Sequence, residues 1–177
     1  MPAVGLIEGL IRDIPDFPEP GVVYKDITPL LGDPVGFDAA LHAMSSPWSA
    51  TEVDLVVGIE ARGFLFGVPV ARQLGVGFVP VRKPGKLPFT TSSLDYGLEY
   101  GADTVEMHTD AIAPGQRVVI IDDVLATGGT AAAAAELVNR QAGILVGFGF
   151  LLELEFLHGR GKLGDTSIES LIKVGGD

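Results

Sequence analysis

The 177-residue chain contains no cysteine, a single tryptophan, and only 12 lysines and arginines against 23 acidic residues. Without cysteine there are no disulfides and no thiolate metal sites, and a cytoplasmic protein is the expectation. The shortage of positive charge leaves a formal net charge of −11. Such a field repels nucleic acid, and no basic stripe or aromatic platform is present to overcome it. Long apolar runs are also missing. The longest charge-free apolar stretch, Ala142 to Leu152, is too short to span a bilayer, and the N-terminus lacks the basic start of a signal peptide, so no membrane association is expected. His42, His108 and His158 are scattered without metal-ligand spacing and read as structural or surface residues. The glycine-rich loops of NTPases and dinucleotide enzymes are absent as well: no loop ends in Gly-Lys-Ser/Thr, and the central loop is not G-x-G-x-x-G.

What is present is apolar and small. Apolar residues make up 47% of the chain, enough for one real core over residues 1–177. Ile7, Leu10, Ile11 and Ile14 repeat at helical spacing and predict an opening helix over residues 3–13. Pro15 to Gly21, with three prolines, cannot continue it. Val22 to Pro29 then reads as an extended flap outside the sheet, so residues 1–34 form a helix and a small hood. A short helix follows over residues 34–44, and Trp48 reads as a packing anchor. Asp54 to Ile59 is a buried strand that delivers Glu60-Ala61-Arg62-Gly63-Phe64 and a helix through Gln73. Gly77 to Val81 is a third strand, leading into Arg82, Lys83 and Lys86, three of the twelve basic residues within five positions. An acidic chain that gathers its cations in one loop has an anion to hold there. Residues 82–101 read as a mobile active-site loop, and Asp103 to His108 as an alternating strand. The last core strand runs from Ile144 to Leu152, ending in Glu153-Leu154, and Ser167 to Val174 is an edge strand. Strands alternating with helices imply a twisted, mostly parallel α/β sheet flanked by helices.

The centre of the pattern is Arg117 to Thr130. Val118, Val119, Ile120 and Ile121 form the unbroken β-branched run of a strand buried on both faces. Asp122 and Asp123 stand at its end. Ala126, Thr127, Gly128, Gly129 and Thr130 follow as a small-residue loop, and Ala131 to Ala135 open a helix with the best intrinsic propensity available. In open parallel sheets, ligands sit beyond the carboxyl ends of the strands. The glycines let backbone N–H groups converge on an anion, and the helix adds unsatisfied donors and a positive dipole end. The two carboxylates would repel a second phosphate but accept hydrogen bonds from vicinal hydroxyls. A sugar phosphate is the expected ligand, with ribose on the acids and the 5′-phosphate in the loop. A plain strand-to-helix turn, with Thr127 or Thr130 as N-cap, is the other reading of the loop.

With both acids attached to A-T-G-G-T, the segment closely resembles the phosphoribosyl-pyrophosphate (PRPP) motif of type I phosphoribosyltransferases. Arg62-Gly63-Phe64 and Leu98-Glu99-Tyr100-Gly101 narrow the resemblance to the adenine phosphoribosyltransferase family, and Glu155 to Arg160 resembles that family's closing E-L-x-x-L-x-G-R element. The resemblance implies transfer of phosphoribose from PRPP to adenine, with Mg²⁺ arriving on PRPP rather than held by the protein alone. It implies Glu99 as the catalytic base and Tyr100 as part of the lid. Ala61, Arg62, Arg82, Lys83 and Lys86 would hold pyrophosphate, with a cis peptide joining Glu60 and Ala61. Val23 and Lys25 would read adenine through backbone groups, while Tyr24 and Leu154 sandwich the ring. A homodimer is implied too. Two other functions stand beside this one: a transferase for another purine base, and a PRPP-sensing regulator without catalysis.

Overall fold

The β-branched run at the heart of the sequence becomes the middle strand of a five-stranded, wholly parallel sheet. The computed structural model describes residues 2–97 and 102–175. It divides into two units, Met1–Ala43 and Met44–Asp177.

In the first unit, helix α1 (Pro2–Gly9) is followed by strand β1 (Arg12–Pro15), strand β2 (Val23–Asp26), helix α2 (Thr28–Gly32) and helix α3 (Pro34–Ser45). The opening helix is shorter than its apolar spacing predicts. It stops at Gly9, a poor helix former, and residues 12–15 instead pair antiparallel with residues 23–26. The pairing brings opposite charges face to face. Arg12 binds Asp26 at 2.7 Å and Lys25 binds Asp13 at 2.6 Å, and cross-strand pairs of this kind stabilise a ribbon by about 0.2–1 kcal/mol each. The expected flap is therefore one strand of a hairpin, and it ends earlier than Pro29. Asp26 accepts the Thr28 N–H at 2.9 Å, and Pro29 falls in the first turn of α2, where its missing donor is not needed. The Phe17–Pro18 peptide bond within the connecting turn is cis.

The second unit contains β3 (Leu55–Ile59), α4 (Gly63–Leu74), β4 (Gly77–Val81), β5 (Thr91–Gly97), β6 (Ala102–His108), β7 (Arg117–Leu125), α5 (Gly129–Arg140), β8 (Ile144–Leu154) and β9 (Ser167–Val174). The sheet order is β4-β3-β7-β8-β9, which leaves β9 at one edge as the sequence predicts. Val118 to Ile121 are fully buried because both faces of β7 are covered. Val118 and Ile120 join the core with α5 residues Ala133, Ala134, Leu137 and Val138 and with Phe148 and Phe150 of β8. On the other face Trp48 lies over Gly147 and Gly149, where a Cβ on Gly147 would come within 2.6 Å of the indole. Glycine is required there because the tryptophan occupies the side-chain space. A register shift between Val118 and Val119 sets which β8 residues face which side.

Two boundaries differ from the sequence reading. Residues 91–97, within the expected active-site loop, form a strand paired with β6 over seven positions, and Arg82 and Glu106 link this hairpin to the end of β4 through reciprocal backbone hydrogen bonds of 2.9 and 2.7 Å. Strand β7 also runs on past the acid pair to Leu125, because β8 continues beside it after β3 has ended at Ile59. Among the described residues, no helix is long and apolar enough to cross a membrane.

Candidate active site

The carboxyl ends of β3, β4 and β7 open into one cleft of about 310 Å³. Its wall carries Glu60, Ala61, Arg62, Arg82, Lys83, Asp122, Asp123, Ala126 and Thr130. A smaller adjoining hollow of about 70 Å³ is formed by residues 124–131 with Asp122. The topology explains the convergence. In a parallel sheet every strand delivers its following loop to the same edge, so three segments far apart in sequence meet there.

The acid pair is the electrostatic centre. Asp123 is only 5% exposed, and its Oδ2 forms an ion pair with Arg62 Nε at 2.8 Å. Asp122 Oδ1 accepts the Asp123 backbone N–H at 2.9 Å and lies against Gly63, the first residue of α4, where a Cβ would collide with it. Burial, followed by the charge of Asp123, pushes the Asp122 carboxyl well above its ordinary range. Burial raises Asp123 as well, with Arg62 pulling in the opposite direction. Two neighbouring carboxyls held up in this way gain from hydroxyl donors or from a cation that enters the cleft.

The loop after β7 is shaped for an anion. Gly128 occupies the N-cap position of α5 at φ +77°, in the left-handed region, and no side chain caps the helix. The capping role considered for Thr127 or Thr130 is thus not what the structure shows. Gly129, Thr130 and Ala131, the first turn of α5, line the hollow, and an anion there would be stabilised by the helix end.

The cations are held in a second network. The Glu60–Ala61 peptide is cis, as the resemblance implies. Glu60 receives Arg82 Nε at 3.1 Å and the Lys83 backbone N–H at 2.9 Å. Burial works against ionised Glu60, but these two donors outweigh it and hold its carboxyl below the usual value. Lys83 Nζ lies 2.8 Å from Asp103 Oδ2 and 3.2 Å from Tyr96 Oη. Burial opposes the Lys83 ammonium as well, and Asp103 with Tyr96 reverses that effect. Lys86 is not in the cleft wall; its carbonyl accepts an Arg82 guanidinium N–H at 3.0 Å and its own N–H closes a turn onto the Lys83 carbonyl.

The remaining expected residues fall elsewhere. Val23, Tyr24 and Lys25 form most of β2 in the first unit, with the Tyr24 ring edge-on to Phe17 at 5.2 Å. Leu154 is the last residue of β8 in the second unit. Glu99 and Tyr100 lie outside the described residues. Sequence reasoning placed Glu60 in the loop after β3 without giving its side chain a role, and it did not single out Tyr96, inside the expected active-site loop, or Asp103, just after it; all three line the cleft. The described residues contain no cluster of three or more His, Cys, Asp and Glu side chains placed to hold a metal ion.

A strand, an acid pair and a glycine loop at the carboxyl edge of a parallel sheet, beside a cleft lined by Arg62, Arg82 and Lys83, have the chemistry to take a phosphorylated sugar. A family model described as "Phosphoribosyl transferase domain" matches residues 40–154. The chain belongs to the phosphoribosyltransferase family. Its full-length relatives are more particular. The adenine phosphoribosyltransferase of Thermobifida fusca (strain YX) is 57% identical over 169 residues, covering 96% of each chain. That of Myxococcus xanthus (strain DK1622) is 57% identical over 92% of this chain and 88% of its own. Among solved structures, the Rhodothermus marinus adenine phosphoribosyltransferase aligns with a TM-score of 0.92 at 50% identity, covering 98% of this chain and 99% of that one. The Saccharomyces cerevisiae enzyme, solved with an imino-altritol bisphosphate and adenine, aligns at 0.91 and 40% identity over 96% of this chain and 98% of that one. Within its family the chain stands with the adenine phosphoribosyltransferases.

Proposed function

We infer that the protein transfers the phosphoribosyl group of PRPP to adenine, releasing AMP and pyrophosphate, a purine-salvage reaction. The observation that carries this reading is the buried pair Asp122–Asp123, set between the uncapped glycine loop and the Arg62–Arg82–Lys83 side of a single cleft. In that arrangement the 5′-phosphate occupies residues 126–130, the ribose hydroxyls donate to Asp122 and Asp123, and the pyrophosphate lies along Ala61, Arg62, Arg82 and Lys83, with Lys86 near the rim.

Departure of pyrophosphate breaks its bond to C1 of the ribose and leaves an oxocarbenium-like sugar. Arg62, Arg82 and Lys83 stabilise the negative charge that grows on the leaving group. Adenine N9 forms the new bond to C1 from the opposite face, with inversion, and loses its proton to Glu99. A general base of this kind contributes about 10²–10⁴-fold. The loop that bears Glu99 and Tyr100 excludes water, which would otherwise compete as the nucleophile. By resemblance to the family, backbone groups of Val23 and Lys25 read the amine and N1 of adenine, and Tyr24 stacks on the ring. Hypoxanthine presents the opposite donor and acceptor at those positions, so it leaves buried groups mismatched.

Mg²⁺ fits this cleft as a passenger of the substrate. It is a hard cation that would stay on the substrate phosphates, and its charge would favour ionisation of Asp122 and Asp123, which burial opposes. When bound it neutralises phosphate charge. A homodimer belongs to the same proposal. Leu65 and Val68 on α4 are 43% and 49% exposed, an apolar helix surface that supports association. So does a cytoplasmic location, supported by the cysteine-free composition.

The test is AMP formation from PRPP and Mg²⁺ with adenine, beside parallel reactions with hypoxanthine, guanine and xanthine. Adenine-only turnover is expected. Turnover with another base would overturn the hood specificity, and binding of PRPP without any turnover would overturn catalysis itself.

A further inference from the structure

The glycine loop does not hold its shape by itself. Gly128 and Gly159 are packed backbone to backbone: a Cβ on Gly128 would collide with the Gly159 carbonyl oxygen and come within 3.2 Å of its Cα. The relation is reciprocal. A Cβ on Gly159 would collide with the Ala126 carbonyl oxygen and stand 3.0 Å from both the Gly128 nitrogen and Leu125 Cδ1. Gly159 is buried, and it follows His158, whose φ of +52° turns the chain back toward the loop.

The next residue anchors this turn to the sheet. Arg160 forms a two-pronged pair with Glu153 of β8, Nε to Oε1 at 2.6 Å and Nη2 to Oε2 at 2.8 Å. Its Nη1 donates to the Ile168 carbonyl at 3.3 Å and its Nη2 to Ser170 Oγ at 3.4 Å, both in β9. Glu153 is only 4% exposed. A planar guanidinium held at four points on two strands has little freedom. The carbonyl of Gly159 is thereby fixed, and with it the backbone of residues 126–128.

We propose that Gly159, held by the Arg160–Glu153 pair, is a positioning residue that sets the height of the phosphate loop, so that affinity for the 5′-phosphate depends on a segment that touches no substrate atom. The inference rests on the reading of residues 126–130 as the 5′-phosphate site. Its physical content is simple. Only glycine at both 128 and 159 lets the two backbones meet, and any side chain at 159 displaces the backbone of residues 126–128.

The experiment uses the full chain in four forms: unaltered, Gly159→Ala, Arg160→Lys and, as a control inside the loop, Thr127→Ala. Ribose 5-phosphate affinity is measured by calorimetry, with the KM values for PRPP and adenine and the melting temperature alongside. Gly159→Ala is expected to weaken ribose 5-phosphate by about tenfold or more, the scale of one displaced buried hydrogen bond, while the adenine KM stays within about twofold. Arg160→Lys keeps the charge and loses the fork, so it should lie between Gly159→Ala and the unaltered chain; if Gly159→Ala does not fold, this variant decides the matter. Unchanged ribose 5-phosphate affinity in the 159 and 160 variants, with Thr127→Ala weakened, would overturn the positioning role alone. An equal loss for adenine and ribose 5-phosphate that tracks the melting temperature would overturn it too, as general destabilisation. No effect from Thr127→Ala would overturn the phosphate-loop reading beneath it.

Discussion

Replacing Gly63 by alanine adds one methyl group and tests the geometry of the acid pair directly. A Cβ at this position would run into Asp122 Oδ1 and lie 3.2 Å from its Cγ and 3.3 Å from its Cα. The Cα is backbone in the central strand and cannot retreat, so the carboxylate has to rotate. Rotation breaks the 2.9 Å hydrogen bond from the Asp123 N–H and turns Asp122 away from the ribose hydroxyls. A buried donor left without its acceptor costs the fold about 1–3 kcal/mol, a ribose hydroxyl denied its carboxylate acceptor costs binding a similar amount, and each 1.4 kcal/mol is about tenfold in affinity. The expected result is a rise of about 10- to 100-fold in the KM for PRPP. Alanine is the better helix former by about 1 kcal/mol and position 63 opens α4, so it offsets only part of that folding cost, and the melting temperature should fall modestly. Gly161→Ala is the control, since a Cβ there meets nothing within 4 Å. Steady-state kinetics with PRPP varied at saturating adenine, beside thermal melts, is the assay. An unchanged PRPP KM in Gly63→Ala would refute the placement of Asp122 on the ribose.

Four further outcomes are expected. Asp123→Asn should weaken PRPP binding, and an unchanged dissociation constant would remove Asp123 from the ribose clamp. Glu99→Gln should depress kcat while leaving PRPP affinity largely intact; equal loss of both would exclude the base role. Asp103→Asn frees Lys83 from its 2.8 Å ion pair. Inhibition by product pyrophosphate should therefore tighten by up to about fivefold, the upper range for an exposed pair, and weaker inhibition would show that Asp103 aids rather than competes. The last concerns acid. Burial raises the Glu153 carboxyl, but Arg160 and Ser170 outweigh it and hold it below 4.5 in the folded chain. A lowered folded value means a stabilising contribution present above about pH 4.5 and lost as pH falls through the lowered value. Melting temperatures taken down the acid limb should fall, and Glu153→Gln, less stable at neutral pH, should show a flatter limb; identical limbs would contradict the pairing.

How much of this was legible beforehand varies by element. The strands Leu55–Ile59 and Gly77–Val81 follow from local pattern, because a covered parallel strand writes its burial as an unbroken apolar run, while Ser167–Val174 shows the mixed polar and apolar pattern of an edge. The acid pair and glycine loop were legible for the same reason: their residue types and their place after a strand carry the chemistry. Three features were misjudged where pairing overrides local preference. Residues 12–15 have helical spacing but join a ribbon, residues 91–97 have a loop-like composition but pair with β6, and the strand through Asp122 outlasts its apolar run because β8 continues beside it.

The sequence by itself determined the family, the sheet and the motif proposed to bind phosphate, since each rests on periodicity or on residues adjacent in the chain. Only the tertiary structure decided which partners hold that motif. Arg62 meets Asp123 across 61 positions, Glu60 meets Arg82 across 22, and Gly159 supports Gly128 from a separate element. Contacts of that kind depend on the folded path bringing distant residues within a few ångströms, and neither propensity nor spacing records them.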